Sequence, residues 1–297
     1  MIPKFLQLVF ALSHFNKREK SVKRVFLLGS KISKSISPVI QNKAFEKAGF
    51  AATYELLQVS EGKFSSVMRK MQSVDDVLGF NITAPYKETI LPYVSKLDPQ
   101  SKAIGAVNTV KFLRNGKMIG FNTDVEGIFA SLSRLDAFQK REKCVILGAG
   151  GAARACVYAV LKSGFRSISI LNRSSDRAEQ VRAHFERQFP KARINVHSLV
   201  SEEFAREIQN ANLLINAVTN PFPIAVDFSG APKKLKLLDL GYKEPSSILI
   251  QARDAKIDSL DGLLMLVEQG AKSFEIWTGL EAPRRTMLLA AKRQIIK

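Results

Sequence analysis

The stretch Lys143–Arg177, KCVILGAGGAARACVYAVLKSGFRSISILNRSSDR, constrains the fold more than any other part of the chain. An apolar run, a glycine-rich turn, a helical run and a second apolar run follow in the order of a mononucleotide-binding βαβ unit. The sequence predicts a strand at Val145–Gly148, a helix at Ala152–Lys162 and a strand at Ser167–Leu171. Gly148 and Gly150 stand where the chain must turn tightly and admit a pyrophosphate, and Ala153 takes the small position where helix and strand pack. Unpaired N–H groups and the helix dipole favour an anion there. Alone, G-x-G-x-x-A also fits a structural glycine turn; the strands and helix around it decide for a nucleotide.

The end of the second strand selects the nucleotide. An NAD site usually carries Asp or Glu there, to bind the ribose 2′-OH. This chain has Asn172, Arg173 and Ser174, with Arg177 one turn further on. Two guanidiniums can pair with a 2′-phosphate and stack on adenine, so NADP is expected over NAD. The plainer reading is a solvated helix start.

With 297 residues, 46% of them hydrophobic, the chain has room for two domains. Its net charge of +18 points to anionic partners. No aromatic-interleaved basic motif of an RNA module and no basic helix with heptads is present, so small anionic substrates are expected and nucleic acid is not. Cys144 and Cys156 fall inside a predicted strand and helix and read as buried thiols of a cytoplasmic protein. His14, His184 and His197 lack metal-ligand spacing, so no metal site is expected, and proton chemistry falls to lysine and aspartate.

Residues 1–22 read as an N-terminal extension, with an apolar run before a basic cluster, the reverse of a secretory signal, and too short to span a bilayer. No membrane association is expected. From Lys23 strands and helices alternate: strands at Arg24–Gly29, Thr53–Val59 and Val77–Ile82, helices at Pro38–Ala48 and Gly62–Met71, and a further helix opened by Pro85. Residues 106–124 read as two antiparallel strands around the Asn115-Gly116 turn. Strands recur at 213–218 and 236–242, and two helices close the chain at 262–278 and 282–296.

Four polar stretches interrupt this pattern. Ser35 and Ser37 precede a helix start that suits a carboxylate, or Ser37 simply caps it. Asn81 and Thr83 end a strand, and Lys87 falls in a first helical turn, where the dipole disfavours a cation and a functional reason gains weight. Asn108 lies in GAVNTV, and Asn122 and Asp124 in FNTDVEG.

Taken together, SISP, N-x-T-x-P-x-K-E, G-A-V-N-T, N-T-D-x-x-G, G-A-G-G-A and DGLLMLVEQGAKSFEIWTG resemble the shikimate dehydrogenase family from Arg24 to the C-terminus. The resemblance implies NADP-dependent, reversible reduction of 3-dehydroshikimate to shikimate in aromatic amino-acid biosynthesis. It implies a two-domain α/β fold, with a substrate domain of residues 23–123 plus 262–297, a Rossmann NADP domain of residues 124–261 and the active site in the cleft between them. By the same resemblance Lys87 and Asp124 are the catalytic pair, and Ser35, Ser37, Thr83, Asn108, Tyr242 and Gln269 bind substrate. Gly148, Gly150, Gly151, Ala152, Asn172, Arg173, Ser174, Arg177, Val218, Gly262 and Met265 hold the cofactor. A monomer or homodimer is expected. The chain departs from the pattern at Lys31 and Lys34, where the family has proline and histidine, and at Val218 and Ser247, where it has threonine. A quinate or dual quinate/shikimate dehydrogenase is the nearest alternative, and a non-catalytic nucleotide-sensing or nucleic-acid-binding protein is the alternative of another class.

Overall fold

The computed structural model describes residues 22–71, 76–218 and 224–296, so the N-terminal extension lies outside the described residues except for Val22. Two six-stranded sheets organise the rest. The first contains β1 (Lys23–Gly29), β2 (Ala52–Gln58), β3 (Val77–Ile82), β4 (Lys96–Leu97), β5 (Thr109–Phe112) and β6 (Met118–Phe121), in the order β2-β1-β3-β5-β6-β4. β1 runs parallel to β2 and β3, whereas β5 pairs antiparallel with both β3 and β6. Val25 to Leu28 of β1 are buried without alternation, as expected of a strand covered on both faces. The expected hairpin is present, and Gly116 supplies the left-handed backbone of its turn at φ +75°.

Helices α1 (Ser37–Lys47) and α2 (Phe64–Met71) form as expected, α2 preceded by a single 3₁₀ turn. The helix expected from Pro85 does not form. The Ala84–Pro85 peptide is cis and residues 84–90 run as successive turns. The Lys87 carbonyl, which a helix would give to residue 91, instead accepts from the Val107 amide at 2.8 Å. Lys87 is therefore held by a loop strapped to the next segment, and the dipole argument made from its helical position does not apply. A short helix not anticipated from the sequence, α3 (Pro99–Ile104), is capped by Asp98, whose carboxylate accepts from the Gln100 and Ser101 amides.

The second sheet is parallel throughout: β7 (Lys143–Leu147), β8 (Ser167–Asn172), β9 (Arg193–Ser198), β10 (Leu213–Asn216), β11 (Lys236–Asp239) and β12 (Asp258–Leu260), ordered β12-β11-β10-β7-β8-β9. The strand order reverses between β7 and β10, the doubly wound arrangement whose ligand crevice opens at the strand C-terminal ends. The connecting helices are α4 (Asp124–Arg134), which leads into β7, then α5 (Gly151–Lys162), α6 (Ser175–Glu186), α7 (Ser201–Ile208) and α8 (Ser247–Asp254). Cys144 and Cys156 are buried and unpaired.

The last two helices, α9 (Leu263–Thr278) and α10 (Arg284–Ile295), return to the first sheet. Val267, Ala271, Phe274 and Trp277 share a core with Val25, Ile40 and Phe45. Gly79 makes this approach possible, because a Cβ there would sit 2.5 Å from Trp277 Nε1, which donates to the Val110 carbonyl at 2.9 Å. α4 packs between α9 and α5, its Val125, Ile128 and Leu132 joining the core of the second sheet together with Met265. Among the described residues, no helix is long and apolar enough to cross a membrane.

Candidate active site

Asp124 opens α4, where the helix dipole favours its negative charge. Lys87 reaches it from the loop after β3, with Nζ 2.5 Å from Oδ2. The side chains are only 14% and 4% exposed, so this is a partly desolvated pair with little water to screen it. Asn108 Nδ2 donates to the other carboxylate oxygen, Oδ1, at 2.9 Å and fixes its rotation. Asn108 also approaches Gln269 Oε1 at 3.3 Å, while its own Oδ1 accepts from the Thr123 amide at 2.7 Å.

Behind these groups lies a buried polar layer. Asn81 Nδ2 faces Thr109 Oγ1 at 2.9 Å and Ser273 Oγ at 3.0 Å, and Tyr54 donates to Asn81 Oδ1 at 2.7 Å. Asn81 thus supports the site from behind. Thr123, Thr109 and Ser273 were not singled out from the sequence. Ser273 had one available signal, its position one helical turn beyond Gln269 on α9.

Ser35 and Ser37 meet at the start of α1, their hydroxyls 3.2 Å apart. Ser37 does not cap the helix: Ile36 occupies that position and its side chain makes no capping hydrogen bond. The Ser37 amide approaches Ser35 Oγ at 3.3 Å. From the second sheet, Tyr242 brings its hydroxyl to Ser35; burial pushes the phenol up and the Ser35 hydrogen bond pulls it back. Two hydroxyls and a phenol make a donor-rich place suited to a carboxylate. Lys34 lies near Lys243, whose ammonium is lowered by burial and by the Lys34 charge. Thr83 directly follows β3, half-buried, with its methyl against Gly29.

The glycine turn has the form a dinucleotide needs. Gly148 adopts φ +105°, and a Cβ on Gly150 would meet nothing within 4 Å. Gly150 caps α5 with no side-chain hydrogen bond and no acidic residue in the first turn, so the helix N-terminus is available to a pyrophosphate. Gly151 meets the Lys87 side chain closely: a Cβ there would lie 2.7 Å from Lys87 Cβ. Ala152 follows, half-buried. Val218 borders Gly148, its amide held by Asn216 Oδ1 at 3.0 Å. Asn216 in turn donates to Asp239 Oδ1 at 2.9 Å, and the same oxygen receives the Gly241 amide at 3.0 Å, orienting the segment that carries Tyr242.

At the end of β8, Asn172 Nδ2 closes the turn onto the Ser174 carbonyl at 2.8 Å. Arg173 and Arg177 are exposed, and Arg173 has no ion-pair partner among the described residues. No carboxylate occupies the strand end, so these residues fit a 2′-phosphate. Gly262 is buried with its amide donating to the Gly241 carbonyl at 2.7 Å. Met265 is buried too, its backbone lying against Gly127 of α4. Bonds or close packing thus join Lys87, Asp124, Asn108, Gln269 and Gly151 in one group, and Ser35, Ser37 and Tyr242 in another.

Three family models match the chain: the shikimate dehydrogenase substrate binding domain at residues 27–110, shikimate / quinate 5-dehydrogenase at 132–231, and the shikimate 5′-dehydrogenase C-terminal domain at 262–292. A shikimate dehydrogenase (NADP(+)) of Methanopyrus kandleri is 37% identical over 272 residues, which cover 89% of this chain and 92% of that protein. The chain belongs to the shikimate dehydrogenase family. Among solved structures, shikimate 5-dehydrogenase from Thermus thermophilus, in complex with NADP(H) and shikimate, superposes with a TM-score of 0.78 at 28% identity, covering 92% of this chain and 99% of that one. Quinate dehydrogenase from Corynebacterium glutamicum, in complex with NAD, shares the fold with a TM-score of 0.81 at 24% identity, covering 90% and 98% of the two chains. The two-domain α/β architecture of the family is the one the two sheets build.

Two charged residues in this family site escaped sequence reasoning. Arg154 lies in the first turn of α5 and is only 8% exposed, and Glu88 directly follows Lys87. A cation in a first helical turn is the same signal that the sequence offers at Lys87, where no helix forms.

Proposed function

We propose that this chain catalyses the reversible NADP-dependent interconversion of shikimate and 3-dehydroshikimate, with Lys87 and Asp124 as the catalytic pair. The observation that carries this reading is the 2.5 Å contact between Lys87 Nζ and Asp124 Oδ2, beside the Gly151 turn. Ser35, Ser37 and Tyr242 hold the substrate carboxylate, while Thr83, Asn108 and Gln269 meet its ring oxygens. Gly148, Gly150, Gly151 and Ala152 take the pyrophosphate, and Asn172, Arg173, Ser174 and Arg177 the adenosine 2′-phosphate. Val218, Gly262 and Met265 border the nicotinamide end. Residues 23–123 with 262–297 act as the substrate domain and residues 124–261 as the cofactor domain. The reading makes the protein a cytoplasmic enzyme with small-molecule partners.

Bound NADPH supplies a hydride to the C3 ketone carbon of the substrate. As negative charge grows on the ketone oxygen, Lys87 Nζ stabilises it and donates a proton, leaving a hydroxyl. Asp124 holds the ammonium in place, and Asn108 keeps the carboxylate from rotating away. In the reverse direction neutral Lys87 takes the hydroxyl proton as hydride leaves C3. Acid–base help of this kind contributes about 10² to 10⁴ in rate.

Initial rates with shikimate and with quinate, each with NADP⁺ and with NAD⁺, test the assignment. Shikimate with NADP⁺ is expected to turn over fastest. Faster turnover of quinate with NAD⁺ would overturn it in favour of a quinate dehydrogenase.

A further inference from the structure

Beside the proton-transfer pair lies a second charged cluster, of which the function above uses only Arg177. The Glu88 carboxylate stands between two guanidiniums of the opposite sheet's helices: Oε2 is 3.8 Å from Arg154 Nε on α5, and Oε1 is 4.0 Å from Arg177 Nη2 on α6. Each distance is at the outer limit of an ion pair. One carboxylate is therefore shared by two cations and fully engaged by neither.

The two arginines differ in their need for it. Arg154 is buried, its Nε has no hydrogen-bond partner, and Glu88 is its only carboxylate among the described residues. Burial lowers its pKa and the Glu88 charge raises it again. Arg177 is 62% exposed and stable in water without a counter-ion. Glu88 thus stands between a buried cation that needs its charge, Arg154, and an exposed one that does not, Arg177, the residue assigned to the 2′-phosphate.

We propose that Glu88 is a specificity-determining residue, an internal anion that occupies Arg177 in the cofactor-free enzyme and is displaced from it by the adenosine 2′-phosphate. The proposal rests on the assignment of Arg177 to that phosphate. The carboxylate competes with the arriving phosphate for the guanidinium. NAD⁺, without the phosphate, does not encounter Glu88 in this way.

Isothermal titration of NADP⁺ and of NAD⁺ into wild type, Glu88→Gln, Arg177→Ala and the double variant tests this. Glu88→Gln keeps the side-chain volume at a partly exposed position, and circular dichroism checks its fold. The expected result is NADP⁺ binding about 2- to 5-fold tighter, the range of an exposed ion pair, with NAD⁺ binding unchanged. In the Arg177→Ala background the effect of Glu88→Gln on NADP⁺ should disappear. An unchanged NADP⁺ affinity, an equal change for both cofactors, or persistence of the effect without Arg177 overturns the proposal while leaving the cofactor assignment standing. If Arg177→Ala itself weakens both cofactors equally, the assignment of Arg177 fails, and the proposal fails with it.

Discussion

The proton-transfer centre and the strand end at Asn172–Arg177 are both polar, yet they are built in opposite ways. Lys87, Asp124 and Asn108 are joined by short hydrogen bonds and backed by a buried layer from Asn81, Thr109, Thr123 and Ser273. Arg173 and Arg177 stand in solvent, with one long ion pair between them and the rest of the described chain. The difference follows the chemistry each must do. Proton transfer needs atoms fixed before the substrate arrives, whereas a phosphate brings enough charge to order flexible guanidiniums itself.

The largest expected effect breaks the rigid side. Lys87→Ala should lower kcat by about 10² or more and leave NADP⁺ affinity nearly intact. Unchanged turnover would remove Lys87 from the mechanism and the contrast with it. On the open side, Arg173→Ala should weaken NADP⁺ by about 1.5 to 3 kcal/mol, the size of a hydrogen bond to a charged group, and spare NAD⁺ in equilibrium titrations. Equal losses would mean that Arg173 binds something common to both cofactors.

The smallest effect lies where the two sheets' helices touch. His184 on α6 reaches the Ala103 carbonyl with Nε2 at 2.7 Å. Its pKa is lowered, chiefly by burial and also by the Arg154 and Arg187 charges, against the opposing pull of the Ala103 bond. A histidine lowered below its unfolded value of about 6.5 takes up protons more readily when unfolded, so stability falls as pH drops through that value toward the folded pKa. Thermal unfolding of His184→Gln should therefore show a shallower loss of Tm between neutral and mildly acidic pH than wild type. A loss of equal steepness would assign the acid sensitivity to other groups.

How far the sequence could be read divides along the same line. The glycine turn and the strand end are local: glycines, alternating elements and the missing carboxylate lie within Lys143–Arg177, and a parallel sheet forms around them. The catalytic centre is not local. Thr123 meets Ser273 across 150 positions, and no window of sequence contains both. Pro85 misled because first-turn proline is a local signal, while the Val107 amide that captures the Lys87 carbonyl comes from 20 residues on. Lys87 and Asp124 were reached through the family resemblance of their motifs. Glu88 and Arg154 became visible only when two elements distant in the chain were brought together.

The central claim is that Lys87 and Asp124 act as one unit. Measuring kcat for Lys87→Ala, Asp124→Asn and the double variant under saturating shikimate and NADP⁺ tests it most directly. The account predicts that the double variant loses little more than the worse single variant, since either change already disables the pair. Losses that multiply would contradict it, and would mean that the 2.5 Å contact between the two side chains is not the working element of the site.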